Sequence, residues 1–304
     1  MEDIANSTSL RSALARATSH LDSSPDLRAT ASRDALVLLL HVTDLALAAY
    51  HANPDRALTP EQLATYEAAI ARRLAHEPIQ YITGEQEFYG LTLRVTPAVL
   101  IPRPETEHLV EAVLAEFSAH SVSSHSVSSR EASRTARSAI LDIGTGSGAI
   151  AIALAHRLPH AHITATDISP AALEVAASNA ALHHLTGRIH FLVSDLLSAV
   201  SSEPVFDAVV SNPPYVPTTD RDALHPQVRD HEPALALFAG PTGLDIYRRL
   251  IPQARAALKP NGLLALEIGH GQTNAIAELL AGWHDVRFVN DLQQIPRVVL
   301  ARKP

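Results

Sequence analysis

Along the first third of the chain apolar residues recur at helical spacing. Leu10, Leu14 and Leu21 share one helical face. Residues 29–50 are rich in Ala and Leu and lack Gly and Pro, which predicts a second helix. A third opens at Thr59, an N-cap residue followed by Pro60 in the first turn and Gln62 at the capping-box position. It runs to about residue 76, short of Pro78. Together these predict a small helical bundle over 1–78. At Ile79 the texture changes. Residues 81–100 are rich in Tyr, Phe, Thr and Val, with Gly84 and Gly90 as breaks, and Leu91, Leu93 and Val95 alternate with Thr92 and Arg94. That alternation predicts a β-hairpin, so 79–101 reads as a linking hairpin.

Pro102 and Pro104 interrupt the strand pattern, and 105–117 predicts an amphipathic helix. Residues 118–138 are of low complexity, with His-Ser-Val-Ser-Ser at 120–124 and again at 125–129. The tract reads as a disordered insertion in a surface loop. From Ala139 onward short apolar runs alternate with helical segments. Strands are expected at 139–143, 162–166, 190–193, 208–211, 262–267, 286–290 and 297–301. Helices are expected at 149–157, 170–183, 244–258 and 272–281. The alternation predicts an α/β domain over 102–304, with a mostly parallel, doubly wound sheet of seven strands.

Composition narrows the function classes. The chain has 304 residues, 46% hydrophobic and 18% charged, ordinary for a soluble globular protein. The net charge of -8 argues against a protein that coats nucleic acid. With no cysteine there is no disulfide framework, thiolate zinc site or cysteine nucleophile. Residues 1–21 lack the apolar core of a signal peptide, and apolar runs such as 35–40 are far short of a membrane span. A cytoplasmic protein with no membrane partner and no stable nucleic-acid partner is expected. His156, His160 and His162 lie close in sequence, and His183 adjoins His184, but no carboxylates join them at ligand spacing, so no metal is expected.

Candidate chemistry sits in two loops. The first is Leu141-Asp142-Ile143-Gly144-Thr145-Gly146-Ser147-Gly148, between a predicted strand and a predicted helix. Glycines there allow a tight turn and close approach to a ligand. Asp167 ends the next strand, where a carboxylate can accept both hydroxyls of a ribose. A dinucleotide would bring its pyrophosphate to the helix N-terminus, where the extra acid Asp142 would be unfavourable. S-adenosylmethionine has no phosphate and carries an amino group and a sulfonium, which favour that acid. The spacing Gly-x-Gly-x-Gly likewise favours S-adenosylmethionine. Asp195, at the end of the third strand, is a candidate for the adenine amine or a helix cap.

The second loop is Ser211-Asn212-Pro213-Pro214-Tyr215, directly after a predicted strand. An amide nitrogen is a poor nucleophile because its lone pair is delocalised. The Asn212 side-chain oxygen and the Pro213 carbonyl can each accept one N–H of such a group. Holding both hydrogens turns the lone pair toward a methyl donor. Pro213 and Pro214 stiffen the loop, and Tyr215 can stack on a flat substrate. The expected activity is N-methylation of a planar amide. Asn212 is a candidate contact for both the cofactor and the substrate amide.

With these motifs the chain resembles the PrmC/HemK family, the peptide-chain release factor glutamine methyltransferases. The resemblance spans nearly the whole length. It is carried by 77–84, Glu-Pro-Ile-Gln-Tyr-Ile-Thr-Gly, and by 87–90, Glu-Phe-Tyr-Gly. It continues in 99–107, Val-Leu-Ile-Pro-Arg-Pro-Glu-Thr-Glu, in the two loops, and in Leu266-Glu267-Ile268-Gly269 with Gln272. It implies a Rossmann-like class I methyltransferase domain behind a helical substrate-binding domain. It implies N5-methylation of the glutamine in the Gly-Gly-Gln loop of class 1 release factors; a monomer is expected. Gly144 to Gly148 and Asp167 would bind S-adenosylmethionine, with Leu196 beside the adenine where some members carry an aromatic residue. Asn212 to Tyr215 would hold the glutamine amide, and the N-terminal helices would grip the release factor. The serine-rich insertion lies outside the family pattern.

Three other readings compete. A ribosomal-protein glutamine methyltransferase shares Asn-Pro-Pro-Tyr but is expected to differ at 101–107. A DNA or RNA exocyclic-amine methyltransferase suits the same chemistry but wants a basic stripe or a target-recognition domain. A non-catalytic module would keep the fold without both loops intact.

Overall fold

The computed structural model describes residues 8–123, 138–200 and 203–304. Two compact units divide the chain. One takes in Met1–Gly84 and His225–His231, the other Glu85–Leu224 and Glu232–Pro304.

The first unit is helical. Helix α1, Leu10–Asp22, buries Leu10, Ala13, Ala17 and Leu21 at four- and three-residue steps, with Leu14 packed at the margin. Small alanines on this face let α1 lie close to α2, Ala31–Thr43. The helix expected over 29–50 is two helices. Asp44 adopts a left-handed conformation at φ 51° and ends α2, and α3 follows at Leu47–Ala52. The Thr59 cap forms as read. Its hydroxyl accepts Gln62 N–H while Gln62 Oε1 accepts Thr59 N–H, opening α4, Pro60–Leu74. At its far end the buried ion pair Arg73–Asp34, 2.8 Å, ties α4 to α2. The segment 79–101 is not all hairpin. Ile79–Thr83 forms a short helix, α5, closed by Gly84 at φ +82°. His225–His231 joins this unit because His231 Nε2 meets the Ala75 carbonyl at 2.9 Å and His225 sits edge-on to His76.

The second unit opens with the hairpin β1, Glu85–Phe88, and β2, Leu91–Arg94, turning at Tyr89-Gly90. Leu93 and Val95 are buried while Thr92 and Arg94 are exposed, as the alternation requires. Helix α6 spans Pro104–Ser123, longer than the 105–117 expected, so the start of the low-complexity tract is helical. Residues 124–137 of that tract lie outside the described residues. Then come β3 (Ala139–Ile143), α7 (Ala149–Arg157), β4 (His162–Asp167), α8 (Pro170–Leu182), β5 (Ile189–Val193) and β6 (Phe206–Ser211). After Thr218–Ala223 come two short helices, α9 (Pro226–His231), which belongs to the first unit, and α10 (Ala234–Leu237), and then α11 (Asp245–Ala257), β7 (Leu258–Glu267), α12 (Thr273–Leu279), β8 (His284–Asn290) and β9 (Pro296–Arg302).

The seven strands form one sheet in the order β5-β4-β3-β6-β7-β9-β8, and β9 runs antiparallel to both neighbours. Apolar runs without polar alternation arise because helices cover both faces. Ile140 packs with Ile152 and Leu154 on one side, and Leu141 and Ile143 pack with Tyr247, Leu250 and Ile251 on the other. The fold is the Rossmann-like α/β architecture expected. Among the described residues no helix is long and apolar enough to cross a membrane.

Candidate active site

Strands β5, β4, β3, β6 and β7 run parallel, so their carboxyl ends share one edge. The register pairs Ile143 with Thr166 and Ser211, Asp167 with Val193, and Ser211 with Leu266. Gly144, Asp167 and Asn212 therefore leave the sheet side by side, as expected of the two loops, and Glu267 ends the adjoining strand β7.

Gly144, Gly146 and Gly148 have φ of +68°, +55° and +84°, a region that L side chains rarely adopt. A Cβ at Gly148 would crowd Ile152 Cδ1 at 3.0 Å and Ala176 Cβ at 3.1 Å, so this glycine lets α7 pack on α8. A Cβ at Gly144 or Gly146 would meet nothing within 4 Å. Those two present bare backbone to open space. Thr145 donates to Asp142 Oδ2 at 2.6 Å, and Ser147 is buried, its carbonyl taken by Asn179 Nδ2 at 2.9 Å. The fully buried Asn179 also brackets Arg94, accepting its N–H at 2.7 Å and donating to its carbonyl at 2.9 Å. One amide on α8 thus clamps both the hairpin and the glycine loop.

Asp142 is fully buried and its Oδ1 has no hydrogen-bond partner. Burial pushes its carboxyl up from 3.8 to about 7, against the pull of Thr145. The folded chain then binds more protons than the unfolded chain between those values, so this residue lowers stability as pH rises through them. Asp142→Asn is expected to remove that decline. Measured by denaturant midpoints, its stability relative to wild type should grow by roughly a few kcal/mol between about pH 4 and about pH 8. A gap that stays constant with pH would show that Asp142 ionises like an exposed acid.

Asp167 holds two backbone donors, Gly146 N–H on Oδ2 and Ser169 N–H on Oδ1, both at 2.9 Å. Ser169 in turn caps α8 by accepting Ala172 N–H. Asp195 is exposed and pairs with Arg249 at 2.6 Å. Among the described residues no helix begins here, so neither Ser194 nor Asp195 is a helix cap; the Ser194 hydroxyl accepts Ala199 N–H at 3.0 Å across a turn. Leu196 has φ 52° and is half-buried at the margin of the core.

In the second loop Asn212 and Pro214 are half-buried and Pro213 is buried. Asn212 Nδ2 donates to Thr106 Oγ1 at 3.0 Å. Thr106 donates to Glu267 Oε2 at 2.6 Å, and the Tyr215 hydroxyl lies 3.4 Å from Glu267 Oε1. Burial pushes Glu267 up to about 7, against the Thr106 and Tyr215 hydrogen bonds, with Glu105 raising it and Arg297 lowering it. Burial and Glu267 likewise raise the Tyr215 hydroxyl. Gln272 secures the loop's exit. Its Oε1 accepts Gly269 N–H at 3.0 Å, and its Nε2 donates to the Tyr215 carbonyl at 3.0 Å. Glycine is needed at 243, where φ is +71° and a Cβ would lie 2.2 Å from that same carbonyl.

Several partners of the loops were not singled out by motif: Thr106, Glu267, Asn179, and the pair Arg103–Glu232 at 2.5 Å, in which Glu232 also accepts Ile101 N–H at 3.4 Å. Arg103, Thr106 and Glu267 do fall in segments that carry the family resemblance, which was the available signal.

Residues 12–84 match the family described as PrmC N-terminal domain, and residues 123–230 match the methyltransferase small domain. A release factor glutamine methyltransferase of Koribacter versatilis is 49% identical over 83% of this chain and 84% of its own. One from Cereibacter sphaeroides is 43% identical over 90% of this chain and 92% of its own. Among solved structures the hMettl16 catalytic domain, in complex with MAT2A 3'UTR hairpin 6, superposes with a TM-score of 0.54 at 15% identity. It covers 81% of this chain and 84% of that one, a likeness of fold alone. Similarity of that degree over most of the relatives' length places the chain in the release factor glutamine methyltransferase family.

Proposed function

We propose that this enzyme transfers a methyl group from S-adenosylmethionine to the side-chain amide nitrogen of the glutamine in the Gly-Gly-Gln loop of class 1 release factors. The carrying observation is the substrate named for its relatives. The carbon–sulfur bond of the sulfonium breaks as the nitrogen–carbon bond forms, and the amide loses one proton. The products are S-adenosylhomocysteine and N5-methylglutamine.

The cofactor-binding set is Asp142, Gly144 to Gly148, Asp167, Asp195, Leu196 and Asn212. Open backbone at Gly144 and Gly146 suits the cofactor's amino-acid portion, and the buried Asp142 with an unused Oδ1 suits a cationic neighbour. Asp167 has lone pairs left for two ribose hydroxyls. S-adenosylmethionine supplies the electrophilic methyl, and everything else is positioning by the chain. Asn212 Oδ1 and the Pro213 carbonyl accept the two amide hydrogens and so orient the lone pair. Pro213 and Pro214 hold the loop in that shape before the substrate arrives. Tyr215 stacks on the flat amide of the substrate. The helical unit is assigned to gripping the release factor, and the activity to the cytoplasm, where the acceptor works.

The test is a methyl-transfer assay with labelled S-adenosylmethionine. Four acceptors are offered: unmodified release factor, the same factor with its Gly-Gly-Gln glutamine replaced, a ribosomal-protein fraction, and DNA. Label on the intact release factor alone is expected. Label on the ribosomal fraction or on DNA in its place would overturn the substrate assignment.

A further inference from the structure

Glu267 ends β7 at 1% exposure, and none of the proposed contacts to cofactor or substrate uses it. Its two oxygens reach opposite ends of the Asn212–Tyr215 loop. Oε2 accepts Thr106, which accepts Asn212 Nδ2, and Oε1 faces the Tyr215 hydroxyl. A hydroxyl has one proton. With that proton on Glu267, Thr106 can only accept from Asn212. The Asn212 amide is then held by its nitrogen, and Oδ1 is left to accept. An inverted amide would set N–H donors against the N–H donors of a substrate amide.

We propose that Glu267, acting through Thr106, is a positioning residue that sets the polarity of the Asn212 amide. This rests on the reading of Asn212 as the acceptor of the substrate's N–H. Burying a carboxylate is unfavourable, so an apolar side chain would serve packing alone better. The groups facing Glu267 are Glu105 and Thr106 of α6, Tyr215 after β6, Tyr247 of α11 and Arg297 of β9. When Glu267 takes up a proton it can donate to Thr106, whose own proton then turns toward Asn212 and favours the inverted amide. Turnover is therefore present above about pH 7 and lost as pH falls through that value.

The experiment measures kcat, cofactor affinity and melting temperature for full-length Thr106→Val, Thr106→Ser, Glu267→Gln and Asn212→Ala. Thr106→Val is expected to lower kcat between about 10- and 100-fold with cofactor affinity and melting temperature near wild type. Thr106→Ser, which keeps the hydroxyl, retains most of the activity. Glu267→Gln loses the acid limb of the kcat profile. Wild-type kcat in Thr106→Val beside an inactive Asn212→Ala would overturn the relay and leave the substrate reading standing. An active Asn212→Ala would remove the reading beneath it. Equal impairment of the Ser and Val variants, a loss that tracks melting temperature, or an acid limb that persists in Glu267→Gln would make the pair structural and overturn the proposal.

Discussion

Asn212→Ala is expected to lower turnover by roughly a hundred- to a thousand-fold while S-adenosylmethionine binds nearly as before. The size follows from what the side chain does. A primary amide spreads its nitrogen lone pair into the carbonyl, so attack requires rotation away from that resonance. In the proposed site two acceptors, Asn212 Oδ1 and the Pro213 carbonyl, together fix the two hydrogens. With one acceptor gone, the substrate nitrogen can rotate about the remaining bond and the lone pair no longer faces the methyl. Pro213 stays, so a residual rate is expected. The fold should tolerate the change, since among the described residues the side-chain bond lost is Asn212 Nδ2 to Thr106, worth about 1 kcal/mol. Single-turnover rates at saturating cofactor separate this from a binding defect. A variant that turns over at the wild-type rate would show that the amide is held elsewhere.

Asp167→Ala should weaken cofactor binding by roughly 100- to 10,000-fold, with a smaller effect on turnover at saturation. Two losses combine. Under the proposed cofactor site the ribose hydroxyls lose a charged acceptor, and hydrogen bonds to charged groups contribute about 1.5–3 kcal/mol each. The loop also loses its brace, because Gly146 N–H and Ser169 N–H both end on this carboxylate. Every 1.4 kcal/mol is about tenfold in affinity, so two such bonds reach that range. Asp167→Asn keeps one acceptor oxygen and turns its amide nitrogen toward a backbone N–H, so it should fall between. Calorimetric titration measures both variants, and unchanged affinity in Asp167→Ala would end the ribose assignment.

Much of this is legible in the sequence because the signals are local. Central strands covered on both faces appear as uninterrupted apolar runs, and the seven expected strands form within a few residues of their observed ends. Thr59 and Gln62 are three residues apart, so their reciprocal cap is visible as a pattern. The glycine loop and Asn212–Tyr215 each need only neighbours in sequence to be recognised. Local patterns also had gaps. Ile79–Thr83 is too short to display a helical period. The break between α2 and α3 falls on an aspartate in the left-handed region, a conformation its identity does not announce.

The chain's own order of residues therefore determined the fold class, the strand ends and the two loops at one sheet edge. Tertiary structure alone decided what holds those loops. Thr106 lies 106 residues from Asn212 and 161 from Glu267, and Arg94 lies 85 from Asn179. Such bonds depend on strand order and on which helix covers which strand end. A buried hydrogen bond forms between whichever groups the packing brings to about 3 Å, and separation along the chain leaves no periodicity from which to read it.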